Sequence, residues 1–284
     1  MKANFKEILV DFFKLKQSLL LLWTGVFAFI AGSNLRPDLP KLALTSMSML
    51  LTIMGTTGIN MVLDADIDAL MFRTSRRPIP SGKLNKLEGS LLSLLATVGG
   101  LVLALSVNLW VFSAGLLGFL IDIILYTYLL KRRSPWSTVF GGFAGGMPAL
   151  GGWAGATGSV DVQGVLLLLL VAVWSNLHIW TLATYYVDDY RRANVPMLPA
   201  IKGEKAGVLG SLAASLIIFS ILAGMFVTGL LSIWGLAFSA LPLIIAVYFL
   251  IRGLKDTSYR KWSYKAFKVV NMFMAIVFLA LLLK

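Results

Sequence analysis

Apolar segments of about twenty residues recur along the whole chain, and this pattern constrains the fold more than any other feature of the sequence. An α-helix needs about 20 apolar residues to cross the hydrocarbon core of a bilayer. The segments lie at residues 15–34, 42–64, 87–107, 109–130, 136–157, 164–187, 207–229, 231–251 and 264–283. With 58% hydrophobic and 13% charged residues, the composition excludes a soluble globular enzyme, a disordered chain and a collagen-like fibre. We therefore predict an all-α polytopic membrane bundle of about nine transmembrane helices, with residues 1–284 forming one intramembrane domain.

The positive charges predict how these helices are oriented. All but three of the 25 lysines and arginines lie in the N-terminal segment or in the loops after the second, fourth, sixth and eighth helices. The exceptions are Arg36, Lys41 and Lys284. Because cytoplasmic loops carry an excess of lysine and arginine, we expect a cytoplasmic N-terminus, an external C-terminus and a plasma-membrane location. This topology, rather than a nucleic-acid partner, explains the net charge of +12.

Acidic residues are concentrated in the two longest loops, on the side that we assign to the cytoplasm. The loop acids in question are Asp64, Asp66, Asp68, Asp188, Asp189 and Glu204. Each loop follows an even-numbered helix and also holds arginines and prolines, which indicates a faint internal repeat of four helices. The chain has no cysteine and a single histidine, so thiolate and multi-histidine metal sites are excluded.

The spacing of Asn60, Asp64 and Asp68 predicts a polar stripe at the cytoplasmic end of the second helix. A step of four residues leaves each side chain about 40° from the last and about 6 Å further along the helix. Two carboxylates one turn apart repel each other unless a cation lies beside them, and Mg2+ favours oxygen ligands that include substrate phosphates. Basic residues are available on the same predicted face: Arg73, Arg76 and Arg77 follow in the same loop, and Lys131 and Arg132 lie in the loop after the fourth helix. The alternative is a solvated helix end, but acids and bases occurring together twice on one face favour a shared diphosphate site.

A diphosphate site that opens into an apolar bundle predicts an isoprenoid substrate. Its tail would lie between helices, and Mg2+ with the basic groups would stabilise the departing diphosphate when the allylic bond ionises. The carbocation would then be attacked by an electron-rich acceptor. A transporter is the alternative class, but transporters place their acids near the bilayer midplane.

These residues resemble the motifs of the UbiA-type intramembrane prenyltransferases, and within them the heme o synthase (protoheme IX farnesyltransferase) branch. The stretch from Asn60 to Pro78 matches N-x3-D-x3-D followed by R-T-x-x-R-P. The segments that follow the more specific pattern of the branch are Asp188-Asp189-Tyr190, Val195-Pro196-Met197-Leu198-Pro199 and Lys202-Gly203. Two departures are that Lys16 is followed by Gln17 and Ser18 where the family has Lys-Pro-Arg, and that Asn176-Leu177 precede His178 where a proline is usual.

The resemblance implies the remaining chemistry. Farnesyl diphosphate would be the donor, and a vinyl group of protoheme IX the acceptor, giving a hydroxyethylfarnesyl side chain after water adds. The residue roles that it implies are Mg2+ and diphosphate binding by Asn60, Asp64 and Asp68, diphosphate contacts by Arg73, Arg77 and Lys131, and completion of the catalytic site by Asp188 and Asp189. It also implies association with heme a synthase or a terminal oxidase assembly. A related enzyme with another acceptor, such as an aromatic acid, a quinone precursor or a glycerol-phosphate lipid, is the alternative within the superfamily.

Three further side chains have two interpretations each. His178 contacts heme iron or makes a buried helix–helix hydrogen bond. Asp122, inside the fourth helix, lines a cavity or forms a structural pair. Tyr126, one turn from Asp122, either contacts diphosphate or stabilises a cation, or is an interfacial aromatic residue.

Overall fold

The computed structural model describes residues 4–283, and the described part of the chain is helical with no strand. Its long helices are α1 (Leu15–Gly32), α2 (Leu39–Leu63), α3 (Lys86–Leu105), α4 (Leu109–Leu120), α5 (Ser137–Thr157), α6 (Val162–Tyr185), α7 (Glu204–Val227), α8 (Ile233–Lys255) and α9 (Tyr259–Ala280). A π-helix, Ile121–Leu130, continues α4 without a break. The charge prediction includes Lys2 and Lys284, which lie outside the described residues.

The helices confirm the predicted all-α, multi-pass membrane architecture. Within residues 4–283, eight helices are long and apolar enough to cross a bilayer, with α4 and its π-helical continuation taken as one. Helix α5 has 21 residues but is not among them, because glycine lowers its hydropathy. The largest difference in boundaries is at the last helix, which begins at Tyr259 rather than 264. The predicted orientation of the termini stays a prediction.

Polar side chains start several of the helices. Asn85 and Glu88 form a reciprocal capping box at the start of α3, and Asp161 accepts from two backbone N–H groups at the start of α6. Asp38 caps α2, where Pro40 lies in the first turn. These caps satisfy backbone donors that the first turn of a helix leaves unpaired.

The glycines of α5 allow it to pack closely between α1 and α6. A Cβ atom at Gly152 would lie 1.9 Å from the backbone oxygen of Gly25, and one at Gly142 would lie 2.3 Å from that of Ala172. Only a residue without a side chain permits backbones to approach this closely. The glycines therefore lower the hydropathy of α5, and they also allow α5 to lie closely packed between α1 and α6.

The π-helix changes which side chains share a face. Asp122 and Lys131 are nine residues apart, which in an α-helix is a turn of about 900° and places them on opposite faces. The i→i+5 bonding of a π-helix gives about 4.4 residues per turn, so nine residues turn about 740° and return to one face. The hydrogen bond from the Lys131 N–H to the Tyr126 carbonyl, 2.7 Å, closes this last π turn. The predicted helix over 109–130 is confirmed, but its second half is not α-helical.

Helices α2 and α6 end in the same way. Asp64 and Tyr186 are the hinge residues, and each is followed by a six-residue helix, Ala65–Leu70 and Val187–Arg192 respectively. The two loops then pack on each other through an apolar cluster that includes Ile67, Tyr190 and Met197. The loops therefore form a joint cover over the space between α2 and α6.

Candidate active site

A polar cavity of about 270 Å³ lies beneath the two loops. The charged side chains that line it are Lys14, Asp64, Asp68, Arg73, Arg77, Asp122 and Lys131. Asn60, Tyr126, His178 and Tyr190 add further polar groups. The residues predicted to bind diphosphate are thus brought together in one cavity.

Asp64 and Asp68 both point inward, as the stripe predicts. Asp64 is 3% exposed and forms an ion pair with Lys131, and its second oxygen, Oδ1, is buried without a hydrogen-bond partner. Asp68 is 5% exposed and accepts a hydrogen bond from Arg77 at 2.6 Å. Buried polar atoms are nearly always satisfied, so the free Asp64 oxygen marks a place for a cation or a donor.

Neighbouring side chains hold this pair of acids in place. The Asn60 amide donates to the Thr127 hydroxyl at 2.7 Å, which joins α2 to the π-helix. The buried Thr74 hydroxyl donates to the Asp68 carbonyl at 2.9 Å, at the end of the short helix. Thr74 of the R-T-x-x-R-P motif therefore folds the loop back so that Arg73 and Arg77 reach the cavity.

Asp66 points away from the cavity. Arg132 donates to both of its carboxylate oxygens at 2.7 Å and also to the Leu63 carbonyl at 3.0 Å. The Arg132 hydrogen bonds lower the pKa of Asp66 to about 2. This fork ties the end of α2 to the end of the π-helix and leaves Lys131 free to reach Asp64.

Lys14 is a site residue to which the sequence analysis assigned no role. It lines the cavity, whereas Lys16 is exposed. Lys14 has a left-handed backbone, with φ of +47°, that follows the short π-helix Ile8–Phe12. Burial, together with the nearby Arg77 and Lys131, lowers the pKa of Lys14 to about 7. The Lys-x-Lys spacing was the available signal, because a motif that begins at Lys14 instead of Lys16 has a cation at both its first and its third position.

Asp188 and Asp189 of the second loop lie outside the polar cavity, and the expectation that they complete the site stays a prediction. Arg260 donates to both oxygens of Asp188, at 2.6 and 3.1 Å, and also to Glu204 at 2.8 Å. These Arg260 hydrogen bonds lower the pKa of Asp188. Asp189 lies 3.5 Å from Arg192. The physical reason is helical phase: Tyr190, four residues after the hinge, faces the cavity, and the positions between face elsewhere.

An apolar cavity of about 260 Å³ continues from the polar one, and Leu21, Thr57 and Asp122 line both. It runs along α2 from Thr57 to Ser48, nine residues or about 14 Å at the α-helical rise. Its far end is lined by Ala104 and Val111. The paired cavities therefore suit an amphiphile with an anionic head and a long apolar tail.

His178 lies in the wall of the polar cavity on α6. Its ring is 4.9 Å, between centroids, from both Trp174 of the same helix and Phe267 of α9. Its Nδ1 atom is buried without a partner. The structure thus includes features of both predicted interpretations, a helix–helix contact and a free nitrogen beside the cavity.

Among the described residues, no group of three or more acidic, histidine or cysteine side chains could hold a metal ion. The donors that converge are two carboxylates and one amide, from Asp64, Asp68 and Asn60. Mg2+ is typically held by one or two carboxylates together with substrate phosphates and water. This donor set therefore fits Mg2+ that arrives with a diphosphate, rather than a closed structural metal site.

Known proteins resemble this chain over almost its full length. A protoheme IX farnesyltransferase from Thermofilum pendens is 58% identical over 275 residues, covering 97% of both chains. A solved structure of digeranylgeranylglyceryl phosphate synthase has a TM-score of 0.78 at 22% identity, covering 96% of both chains. A UbiA homologue from Archaeoglobus fulgidus, solved with GPP and Mg2+, has a TM-score of 0.67 at 15% identity, covering 96% of this chain and 98% of its own.

The family model agrees with these likenesses and with the inward-facing motif. It is described as the UbiA prenyltransferase family and matches residues 21–277, which include the Asn60, Asp64 and Asp68 stripe and both loops. The chain belongs to the UbiA prenyltransferase family.

Proposed function

We propose that this protein transfers a farnesyl group from farnesyl diphosphate to a vinyl group of protoheme IX in a Mg2+-dependent reaction that gives heme o. The observation that carries the proposal is the continuity of the two cavities, one lined by acids and cations and the other apolar. The acceptor is supported by the 58% identity to a relative named protoheme IX farnesyltransferase.

Asp64, Asp68 and Asn60 would hold Mg2+, which supplies positive charge for the departing diphosphate when bound. The unpartnered Asp64 oxygen supports this assignment, as does the Mg2+ in the Archaeoglobus fulgidus homologue. Each carboxylate also has a cationic partner, Lys131 or Arg77, which holds it in place.

Lys14, Arg73, Arg77 and Lys131 would bind the diphosphate oxygens and stabilise the charge that develops there as the carbon–oxygen bond breaks. The Lys131 ammonium lies 5.3 Å from the centre of the Tyr126 ring, so Tyr126 lies beside the same charges. The apolar cavity excludes water from the tail and from most of the allylic cation. Asp188 and Asp189 act on the fold of the second loop rather than on the substrate in this proposal.

His178 is the residue that we assign to heme. Its unpartnered Nδ1 and its place on the cavity wall support a polar contact to the porphyrin or its iron. The charge asymmetry of the loops supports a plasma-membrane enzyme whose active site faces the cytoplasm. Transfer of the product to heme a synthase or a terminal oxidase assembly would follow from the same assignment.

The test uses purified protein in detergent with Mg2+, protoheme IX and farnesyl diphosphate, and mass spectrometry of the heme. We expect farnesylated heme that disappears with EDTA and in Asp64→Asn. Asp38→Asn is the matched control, because Asp38 caps the other end of the same helix and asparagine caps equally well. Diphosphate release only with a quinone precursor or a glycerol-phosphate lipid would replace the acceptor, and prenyl transfer to no acceptor would refute the proposal.

A further inference from the structure

Asp122 is a charged side chain that the diphosphate chemistry leaves without a task. It lies in the π-helix at the boundary where the polar and apolar cavities meet. In the described part of the chain, no group forms a hydrogen bond or an ion pair with its carboxylate. Asp64, Asp66 and Asp68 differ from it in that each has a basic partner within 4 Å.

An acid in this position is costly and needs a reason. Placing an aspartate at the centre of a membrane helix costs about 2.5–3.5 kcal/mol on insertion scales. A negative carboxylate also repels a diphosphate, so Asp122 is a poor candidate for binding the head of the substrate. The charged groups that interact with it are Lys14 before α1, Asp64 at the end of α2 and Lys131 at the end of its own helix. The positive charges of the two lysines reduce the energetic cost of a carboxylate at this position.

The cavity boundary is also where the reacting carbon must lie. With the diphosphate among Lys14, Arg77 and Lys131 and the tail in the apolar cavity, the first carbon of the prenyl chain lies at the level of Leu21, Thr57 and Asp122. The outer carbon of the vinyl group bonds to that carbon, and the inner vinyl carbon, two bonds away, becomes the new cation. Asp122 therefore lines the space in which this second cation must be quenched.

We propose that Asp122 is the general base that takes a proton from the water molecule that quenches the porphyrin-side cation, an inference that rests on the proposed function. The carbon–oxygen bond of farnesyl diphosphate breaks, and its electron pair leaves with the diphosphate. The vinyl π electrons form the new carbon–carbon bond. A lone pair of water forms the carbon–oxygen bond to the inner vinyl carbon, and one water proton passes to the Asp122 carboxylate, which leaves a neutral hydroxyl group.

Product partitioning tests this role, because the same cation can instead lose a proton from carbon and give an alkene that is lighter by one water. In Asp122→Asn we expect capture by water to slow by about 10²-fold, the low end of the range for general-base catalysis, so that the alkene becomes the main product. Asp122→Glu should restore part of the hydroxylated product. Thr57→Val is the matched control, because Thr57 lines the same boundary but lacks a basic group, and its hydroxylated share should stay at the wild-type value.

The outcomes separate this inference from the proposed function. An unchanged hydroxylated share in Asp122→Asn, with only a slower overall reaction, would overturn the role of Asp122 while leaving heme farnesylation intact. If the wild-type protein makes no farnesylated heme, both proposals fail together. If Asp122→Asn does not fold, the test is the product ratio of the wild-type protein in D2O. Proton transfer from water to a base is slower in D2O, so the proposal predicts a smaller hydroxylated share there. An unchanged hydroxylated share in D2O would count against the proposal.

Discussion

The loops that follow α2 and α6 share a backbone plan but place different chemistry in the cavity. Asp64 and Tyr186 occupy the same hinge position, and Asp68 and Tyr190 each lie four residues further on. Asp64, Asp68 and Tyr190 line the cavity, and Tyr186 lies 6.0 Å, from ring centre to Cζ, from Arg73. The first loop thus presents carboxylates where the second presents phenols.

The outward positions of the two loops are alike. Asp66 and Asp188 each lie two residues after the hinge, and each accepts a two-pronged hydrogen bond from an arginine that is distant in the chain, Arg132 or Arg260. An acid in such a loop therefore either lines the cavity or is an anchor that pairs with an arginine outside it, and its distance from the hinge decides which. The difference teaches that the two loops share a scaffold, whereas the inward-facing positions determine the chemistry.

The largest expected effect is a difference in activity between the acids of the two loops. Asp64→Asn and Asp68→Asn should each lower kcat/KM by about 10³-fold or more, because each removes charge from the ionising centre. Asp189→Asn should lower it by less than about tenfold, since Asp189 contacts Arg192 and not the cavity. Product formation under saturating Mg2+ measures both. Equal losses in the two loops would mean that the second acids reach the substrate.

Substituting one arginine in each loop should show the same difference in activity between the loops. Arg77→Met removes a cation that lines the cavity and pairs with Asp68, and we expect kcat/KM to fall by about 10²-fold. Arg191→Met changes a side chain of the second loop outside the cavity and should stay near the wild-type value. A comparable loss in Arg191→Met, measured as diphosphate release, would contradict the assignment of the head group to the first loop.

The lowered pKa of Lys14 predicts that substrate binding depends on pH. Because its pKa in the folded protein is about 7, against 10.5 for a free lysine, the substrate-free protein holds fewer protons than the unfolded chain between pH 7 and 10. Lys14 therefore makes the free energy of unfolding of the substrate-free protein increase as the pH rises through this window. Diphosphate binding requires the charged form, so its Kd should rise with pH above about 7, by up to about tenfold per unit.

Lys14→Arg supplies the comparison for that measurement, since arginine stays charged throughout the range. Titration calorimetry with farnesyl diphosphate between pH 6.5 and 9 should show a flatter profile in this variant. Lys16→Arg should keep the wild-type slope, because Lys16 is exposed and does not line the cavity. A wild-type slope in Lys14→Arg would assign the titration to another group.

The smallest effect is expected at the two anchors. Asp66 and Asp188 have equal side-chain exposure, 59%, so solvent screens both ion pairs. Asp66→Asn and Asp188→Asn should each lower the free energy of unfolding by about 1 kcal/mol or less. Thermal unfolding in detergent measures the shift. A much larger effect on activity in one variant than in the other would show that the anchors are not equivalent.

Much of the fold and part of the site follow from local sequence. Runs of apolar residues of bilayer-spanning length determine membrane helices, since a helix makes all of its backbone hydrogen bonds within one segment. The four-residue spacing of Asn60, Asp64 and Asp68 determines their shared face, and the structure keeps that face although α2 ends at Leu63. Asp66 likewise points away from the stripe, as its position requires.

Tertiary structure decided the rest, because contacts between distant segments outweigh local preference. The sequence does not show that Ile121–Leu130 is π-helical, which brings Asp122 and Lys131 to one face, or that Lys14 rather than Lys16 lines the cavity. Nor does it show that Arg260, 72 residues away in the chain, holds Asp188 outside. Periodicity determines which residues of one helix lie together, whereas the packing of separate helices determines which of those residues meet at a site.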